Sequence, residues 1–492
     1  MSFHSIRRQK SIIAASKPAI AAVVVAGSLV VIAPQFAHAQ AVVGTINAII
    51  TEGQPIPGDA LNRVVTAINP SQNNVSQGSP GVPQTNGVGG LILTISTGSQ
   101  DNGNNAVITD PVWYLWGKTS TASPLGIFRS ASDPTPDGAG VRGYSSVSAG
   151  IDDAGRLGYV GRTSNISVTG SPVPVVSVLV RHNGTSPQVF ITSGSAVNAP
   201  TGVSPFSQWG STVSRTLNNG NTLFYSTYAT TGTTSNATGL FLTNGTAPTP
   251  LLISGQAVTN SLGSLTVANN DSAVSSTFKA SNNGLNYIVG VTTTGVGTAA
   301  LVINGAVPNV AGTPLIQGQA IPGSPGQTFG GLSGPSVNIS ENGNWIAQID
   351  AAASPQPAQP RLLVVNGSIV ARFATSPLAL DINDNGDYAY ILAPSGVERL
   401  FINGIQALSN GDQVFPLNSA TSTGVNLSNI AGTGPGSFEI GNRDANGSVQ
   451  VTLFGRTGSS TDSIYQFTYS IPEPATLAAG LFAASLVLRR RK

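Results

Sequence analysis

The segment Val337-Asn338-Ile339-Ser340-Glu341-Asn342-Gly343 runs directly into Asn344-Trp345-Ile346-Ala347-Gln348-Ile349, and the stretch Arg361–Val365 then ends in Asn366-Gly367. Three short segments rich in β-branched and aromatic residues are therefore separated by two polar turns that contain Gly. Val, Ile, Thr, Tyr and Phe favour strands. An Asn-Gly pair suits a two-residue hairpin turn, because both central residues need φ above zero. The stretch predicts three antiparallel strands in series.

This pattern recurs along the chain. The first turn has its Gly at positions 103, 155, 220, 284, 343, 386 and 447, about 57 residues apart on average. The second turn has Asn-Gly starting at positions 183, 244, 304, 366 and 403, and two further copies lack it. A fourth segment follows the second turn at Pro250–Ala257 and at Pro314–Gly323, and a similar phrase occurs near the N-terminus at Ala48–Gly58. The chain thus contains seven copies of a unit with four predicted strands.

Such a repeat predicts an all-β fold, a β-propeller of seven four-stranded blades. We expect an N-terminal strand near Thr45–Glu52 to complete the blade formed by Ser437–Asn442, Ser448–Arg456 and Ser463–Ser470, because ring closure leaves no long open sheet edge. Six or eight blades, a pair of β-sandwiches, or a β-solenoid remain as alternatives. No segment between the two ends has helical periodicity, so helices are expected only in an N-terminal signal and a C-terminal tail.

Composition narrows the classes of function. The 492-residue chain is only 9% charged and carries a net charge of +2. Nucleic-acid binding is not expected, because phosphate neutralisation needs clustered Lys and Arg. The chain has no Cys, which excludes thiolate metal sites and disulfides. Without residues 1–39 and 471–492 the net charge becomes −5, so the apparent basicity belongs to the two ends.

The N-terminus has the features of a secretory signal peptide over residues 1–39. A cationic start precedes an apolar stretch from Ala19 to Ala33, and Ala37-His38-Ala39 fits the small-x-small cleavage rule. We therefore expect cleavage after Ala39. An uncleaved membrane anchor and a twin-arginine signal at Arg7-Arg8 are the alternatives.

The C-terminal segment 471–492 contains Pro472-Glu473-Pro474, an apolar stretch from Ala475 to Leu488, and Arg489-Arg490-Arg491-Lys492. These three parts, in this order, resemble the PEP-CTERM sorting signal of exported bacterial proteins. The resemblance covers about 22 residues and implies recognition of Pro472, Glu473 and Pro474 by an exosortase-type processing enzyme. The apolar stretch would form a short transmembrane helix of about 21 Å that inserts transiently, with the basic cluster at its cytoplasmic end. A plain C-terminal anchor is the alternative.

The strongest local motif in the repeat region is Asp381-Ile382-Asn383-Asp384-Asn385-Gly386-Asp387. The side-chain oxygens of Asp381, Asn383, Asn385 and Asp387 have the spacing that begins a Ca²⁺ loop. They therefore predict a Ca²⁺ site. Leu392 occupies the place of the bidentate Glu of an EF-hand, and Asp and Asn are also common in turns. Asn442–Gly447 is a weaker version of the motif. No other cofactor is expected.

Three further groups could carry chemistry. Paired carboxylates for glycoside cleavage could come from Asp350, Asp381, Glu398 or Glu439, but no spacing selects a pair. His182 lies at a predicted hairpin tip, which does not favour a catalytic triad. Trp113 and Trp116 could stack on a sugar, although a spacing of three is not the same-face period of a strand.

These observations predict an exported, non-catalytic propeller of the cell envelope or extracellular matrix, over residues 40–470, that binds or scaffolds. The PEP-CTERM resemblance implies exopolysaccharide or other envelope glycans as partners. The alternatives are an extracellular polysaccharide-active enzyme, either a hydrolase or a lyase, and a purely structural surface-layer component.

Overall fold

The computed structural model describes residues 42–54, 63–68, 84–85, 91–99, 110–116, 126–130, 144–151, 157–163, 177–182, 187–192, 214–216, 221–229, 236–244, 248–269, 273–281, 284–294, 299–332, 336–353, 355, 357–415, 424–430, 438–458 and 461–471. Side chains are described at 45–48 and 51–54 and, with gaps, from residue 221 onward. The chain divides into two compact units, Met1–Ala39 and Gln40–Lys492. All described residues belong to the second unit.

The described residues form 35 strands. Up to residue 192 these are β1 (Val42–Thr51), β2 (Arg63–Ile68), β3 (Gln84–Thr85), β4 (Leu91–Ser99), β5 (Asp110–Trp116), β6 (Gly126–Ser130), β7 (Tyr144–Ile151), β8 (Leu157–Thr163), β9 (Ser177–His182) and β10 (Pro187–Thr192). They continue as β11 (Ser214–Thr216), β12 (Thr222–Ala229), β13 (Asn236–Thr243), β14 (Thr249–Ile253), β15 (Ala257–Asn260), β16 (Gly263–Thr266), β17 (Val274–Ala280), β18 (Tyr287–Thr292), β19 (Ala299–Ile303), β20 (Asn309–Val310), β21 (Thr313–Pro314), β22 (Thr328–Phe329), β23 (Val337–Ile339), β24 (Trp345–Ala352), β25 (Arg361–Val365) and β26 (Ser368–Phe373). The last are β27 (Ala379–Ile382), β28 (Tyr388–Leu392), β29 (Arg399–Ile402), β30 (Ile405–Ser409), β31 (Gln413–Val414), β32 (Val425–Asn429), β33 (Phe438–Ile440), β34 (Ser448–Thr457) and β35 (Thr461–Ser470).

The strands form successive antiparallel sheets in chain order, as a propeller requires. Six sheets contain β2–β6, β7–β10, β11–β14, β17–β19, β22–β26 and β27–β30, a further sheet contains β31–β35 with β1, and β15–β16 and β20–β21 are small hairpins. In four neighbouring sheets, the strand that leads into the first turn of the repeat, here called the first strand of the sheet, contacts its counterpart in the next sheet, in the series β17, β23, β27 and β33. The chain is therefore an all-β β-propeller, as predicted, while the number of seven blades stays a prediction.

Each sheet lies between two others, and the middle strands show the consequence. In β18, Tyr287 to Val291 are buried without a break, and Leu362 to Val365 are buried in β25. A strand with one face exposed to solvent would alternate buried and exposed side chains. The continuous burial explains why these segments are apolar runs. The largest hydrophobic cluster extends from Leu223 to Val364, across the sheets of this part of the chain.

The second turns have the predicted geometry. Asn304, Asn366 and Asn403 have φ of 51°, 48° and 49°, and each is followed by a Gly whose φ is also positive. Each Asn side chain also binds the first turn of its own sheet. For example, Asn366 Oδ1 accepts a hydrogen bond from Trp345 N at 2.8 Å, and its Nδ2 donates to Asn344 Oδ1 at 3.0 Å. The Asn thus provides the backbone conformation and ties two turns together.

The N-terminal strand closes the last sheet, which confirms the prediction. β1 pairs antiparallel with β35, with Val42 opposite Tyr469 and Thr51 opposite Ser463. The other edge of β1 is covered as well, because Ala48 N donates to Phe415 O and Phe415 N donates to Ile46 O, both at 2.9 Å. A buried bond from Ser463 Oγ to Thr51 Oγ1 at 3.0 Å adds a side-chain contact.

Among the described residues there is no α-helix, and one 3-10 turn spans Pro394–Gly396. The described part of the chain contains no helix that is long and apolar enough to cross a membrane. The predicted signal peptide with Ala37 and Ala39, and the predicted tail with Pro472, Glu473, Pro474, Arg489, Arg490 and Arg491, lie outside the described residues. Those sorting segments stay predictions.

Candidate functional site

A row of polar residues lies on the first strands of four successive sheets. Lys279, Asn338, Asp381 and Glu439 occupy β17, β23, β27 and β33, and each has a buried apolar residue on both sides in sequence. We call these four residues the inner-strand row. The first three stand five residues before the Gly of their turn, at positions 284, 343 and 386. The row is a repeated polar position within otherwise apolar strands.

Glu439 reaches the row through an irregularity in its sheet. It lies eight residues before Gly447, three more than the spacing in the other sheets. The chain beyond β33 takes up these extra residues: Gly441 N donates to Gln450 O, and the turn then closes with Asp444 N donating to Ser448 O, both at 2.8 Å. The extra residues bring Glu439, rather than Asn442, beside the neighbouring strand.

Asp381 is the centre of the row and is only 4% exposed. Its Oδ1 accepts hydrogen bonds from Ile382 N at 2.9 Å and from Asn338 Nδ2. Its Oδ2 accepts a hydrogen bond from Ile440 N at 2.6 Å. A single carboxyl group therefore connects three successive first strands, β23, β27 and β33.

The surroundings of Asp381 favour its neutral form. Burial first, and then the nearby charge of Glu439, raise the pKa of Asp381 to about 8, despite the hydrogen bonds from Ile440 and Ile382 and the charge of Lys279. Two acidic groups in one electrostatic neighbourhood, one of them protonated near neutral pH, form the arrangement in which a general acid and a charged partner can act together.

The four residues predicted to bind Ca²⁺ are used in two different ways. Asn383 Oδ1 accepts from Asn385 N at 3.0 Å and from Asp387 N at 2.9 Å, which closes the first turn of its sheet. Asn385 Oδ1 accepts from Arg443 N of the next sheet at 2.8 Å. No group of three or more His, Asp or Glu side chains in the described ranges could hold a metal ion. The Ca²⁺ site stays a prediction.

Asp387, the fourth of these residues, is bound to a cation of the chain itself. Its carboxylate accepts two hydrogen bonds from Arg443, from Nε at 2.7 Å and from Nη2 at 2.5 Å. It also accepts hydrogen bonds from Asn403 Nδ2 at 2.8 Å and from Asn383 Nδ2 at 3.2 Å. Burial opposes ionisation, but the hydrogen bonds from Arg443, Asn403 and Asn383 outweigh it, and the pKa of Asp387 is lowered.

One pair among the four candidate carboxylates is linked electrostatically, because the charge of Glu439 raises the pKa of Asp381. Asp350 instead pairs with Arg361 across β24 and β25. Glu398 accepts hydrogen bonds from Ile430 N at 2.6 Å and from Asn429 Nδ2 at 2.9 Å. Sequence reasoning named Asp381 and Glu439 but could not pair them.

Three other candidate residues have no described side chain. Trp113 and Trp116 belong to β5 and His182 ends β9, and only their backbones are described. In the weaker Ca²⁺ motif, Asp444 Oδ1 accepts from Asn446 N at 2.8 Å and from Ser448 N at 2.9 Å, as Asn383 does in its own turn. Sequence reasoning did not identify Lys279 and Asn338. Their common spacing to the turn Gly was the signal that could have revealed them.

The chain matches no protein-family model and no curated protein. Among solved structures, it is similar to an ulvan lyase, a polysaccharide lyase bound to -[GlcA(1-4)Rha3S]-, with 12% identity, 87% of this chain and 98% of that chain covered, and a TM-score of 0.35. It is also similar to the Dos1 propeller, with 11% identity, 76% and 74% covered, and a TM-score of 0.30. A third structure is an α-L-arabinanase of Penicillium chrysogenum in complex with arabinobiose, with 12% identity, 69% and 95% covered, and a TM-score of 0.31.

These neighbours correct one sequence prediction. Polysaccharide lyases, an arabinanase and a sialidase stand among them, which contradicts the prediction of a non-catalytic binding or scaffolding protein. The likeness itself is one of fold. The activity must therefore be argued from the residues of the inner-strand row.

Proposed function

We propose that the chain is an extracellular enzyme that hydrolyses glycosidic bonds of a polysaccharide, with Asp381 and Glu439 as its acidic pair. One observation carries the proposal: the buried carboxyl group of Asp381 and the partly buried one of Glu439 lie on contacting strands, β27 and β33, and the charge of Glu439 raises the pKa of Asp381.

The two acids differ in the way that glycoside cleavage needs. One carboxyl must be protonated at the working pH so that it can donate a proton to the leaving oxygen, and the other must be ionised to act as a base or a nucleophile. Asp381 suits the first role because its pKa is raised. Glu439, which is only partly buried, suits the second.

The location of the enzyme follows from the predicted sorting signals. We propose export through the signal peptide of residues 1–39 and sorting by the PEP-CTERM segment 471–492, which would place the propeller at the cell envelope or outside it. A polysaccharide of the envelope or matrix is the proposed substrate.

The test is an activity screen of the exported protein on neutral and acidic polysaccharides, followed by reducing-end release and by ultraviolet absorbance of unsaturated products. We expect reducing ends without unsaturated products, and a loss of activity of at least about 100-fold in Asp381→Asn and Glu439→Gln. Asp350→Asn is the matched control, since that acid is paired elsewhere. Unsaturated products would overturn hydrolysis, and full activity in both variants would overturn the site.

A further inference from the structure

The side-chain amide of Asn338 is held in one orientation. Its Oδ1 accepts a hydrogen bond from Ile339 N at 2.8 Å, and its Nδ2 donates to Asp381 Oδ1. If the amide were flipped, its NH₂ group would face the N–H of Ile339 and its oxygen would face the carboxyl group. The hydrogen bonds therefore fix the assignment of the amide.

The two oxygens of Asp381 are consequently unequal. Oδ1 accepts two donors, Asn338 Nδ2 and Ile382 N, whereas Oδ2 accepts one, Ile440 N. An oxygen that accepts two N–H donors has less room for a proton than one that accepts a single donor. When Asp381 is protonated, the proton therefore belongs on Oδ2, on the side of β33 and Glu439.

We propose that Asn338 is a positioning residue, whose amide holds Oδ1 of Asp381 so that Oδ2 carries the proton towards the neighbouring sheet. This inference deepens the proposed function and rests on it, because it assigns which oxygen of the general acid delivers the proton. It concerns a residue on a different strand from both acids.

Charged groups on the adjoining strands act on Asp381 too. Glu439 on β33 disfavours its ionisation, and Lys279 on β17 favours it. Asn338 on β23 adds a donor that also favours the ionised form. Removal of the Asn338 amide should therefore stabilise the protonated acid, and it should at the same time free the carboxyl group to rotate.

The experiment compares wild type, Asn338→Ala and Asn338→Ser in two measurements: the pH profile of polysaccharide hydrolysis, and the titration of Asp381 followed by infrared absorbance of its carboxyl group with Asp381→Asn as the subtraction blank. Asn338→Ala should raise the pKa of the Asp381 carboxyl group by about one pH unit. The alkaline limb of kcat should move upward by the same amount, while kcat falls several-fold with KM unchanged. Asn338→Ser keeps a hydrogen-bond donor, so it should bring the pKa of Asp381 and the pH profile of kcat part of the way back to the wild-type values. Asn342→Ala, which removes an exposed amide that binds Asp384, is the control.

The two readouts separate the inference from the function on which it rests. If wild type hydrolyses no polysaccharide but the titration moves as expected, the proposed function fails while the hold of Asn338 on Asp381 stands. If Asp381 titrates identically in wild type and Asn338→Ala, the positioning role is overturned whatever the activity. If Asn338→Ala does not fold, Asn338→Leu, which removes the donor and keeps the size of the side chain, gives the same comparison, and an unchanged pKa of Asp381 in that variant would overturn the role.

Discussion

The carboxylate of Asp387 is held by the guanidinium of Arg443 from the next sheet through Nε at 2.7 Å and Nη2 at 2.5 Å. The equivalent first-turn positions in the two preceding sheets are occupied by Asn286 and Asn344, which are neutral. At this one junction an acid replaces the amide, and the next sheet supplies the compensating charge. Burial of the pair is uneven, with 3% of the Asp387 side chain and 33% of the Arg443 side chain exposed.

Removal of Arg443 should destabilise the protein, because it leaves the buried Asp387 carboxylate without its cation. We expect Arg443→Met to lower the free energy of unfolding by about 2 kcal/mol, below the usual cost of breaking a fully buried pair because Arg443 is partly exposed. Urea unfolding measures the change. Arg361→Met removes a cation from a pair that is about a third exposed on both sides, and should cost less than about 1 kcal/mol. Equal losses in the two variants would contradict the buried character of the Asp387 pair.

Asp381 should give the wild type a characteristic dependence of stability on pH. Because its pKa is raised from 3.8 to about 8 in the folded protein, the folded state binds more protons than the unfolded state between these values. Its contribution to stability is therefore fully present below about pH 4 and is lost as pH rises through about 8. Asp381→Asn should flatten this part of the curve in thermal unfolding measured from pH 4 to 9. The same slope in wild type and variant would show that Asp381 ionises normally.

The second-turn Asn residues should contribute through both backbone and side chain. Asn366 has a φ of 48° and makes two side-chain hydrogen bonds. Asn366→Gly keeps the backbone conformation and loses the bonds, with an expected cost of about 1 to 2 kcal/mol. Asn366→Ala adds the strain of a left-handed residue and should cost about 1 kcal/mol more. Chemical denaturation of both variants separates the two contributions, and equal costs would remove the backbone part of the explanation.

The N-terminal strand should be movable in sequence but not dispensable. A circular permutant in which residues 40–54 follow Ile471 through a flexible linker keeps the antiparallel pairing of β1 with β35, so we expect it to fold with the circular dichroism spectrum and solubility of the parent. Deletion of residues 40–54 should instead expose the edge of β35 and cause aggregation. A deletion variant that is soluble and as stable as the parent would contradict closure by β1.

Local patterns determined what could be predicted. The Asn-Gly turns and the N-terminal copy of the fourth segment depend on backbone conformation and on repetition, and both are visible in sequence. One copy was missed: Ser409-Asn410-Gly411-Asp412 forms the same turn as Ile253-Ser254-Gly255-Gln256. There, Asp412 Oδ2 accepts Ser409 N at 2.8 Å, as Gln256 Oε1 accepts Ile253 N at 3.0 Å. Asp412 makes the hydrogen bond that Gln256 makes in the other turn, so the residue type differs while the geometry of the turn is the same.

The site itself was beyond sequence reasoning for a physical reason. Asn338, Asp381 and Glu439 come together because three sheets meet, and their separations of 43 and 58 residues do not predict which of them touch. The extra residues that place Glu439 in the row depend on pairing with β34, which no local pattern reveals. No spacing in the sequence selects a pair of carboxylates, and a non-catalytic protein was therefore predicted.

The pairing of Val42 with Tyr469 also determines when during folding the last sheet can close. The residues that β1 and β35 pair lie between 412 and 427 residues apart, so the loop that they close is nearly the entire propeller. Sheets such as β27–β30 use only neighbouring segments and can form as soon as their own residues are available. The closing sheet must wait for the last strand to be synthesised, and such long-range pairing is slow. Until then the edge of β1 that pairs with β35 stays open, so closure of this sheet is a late step in folding.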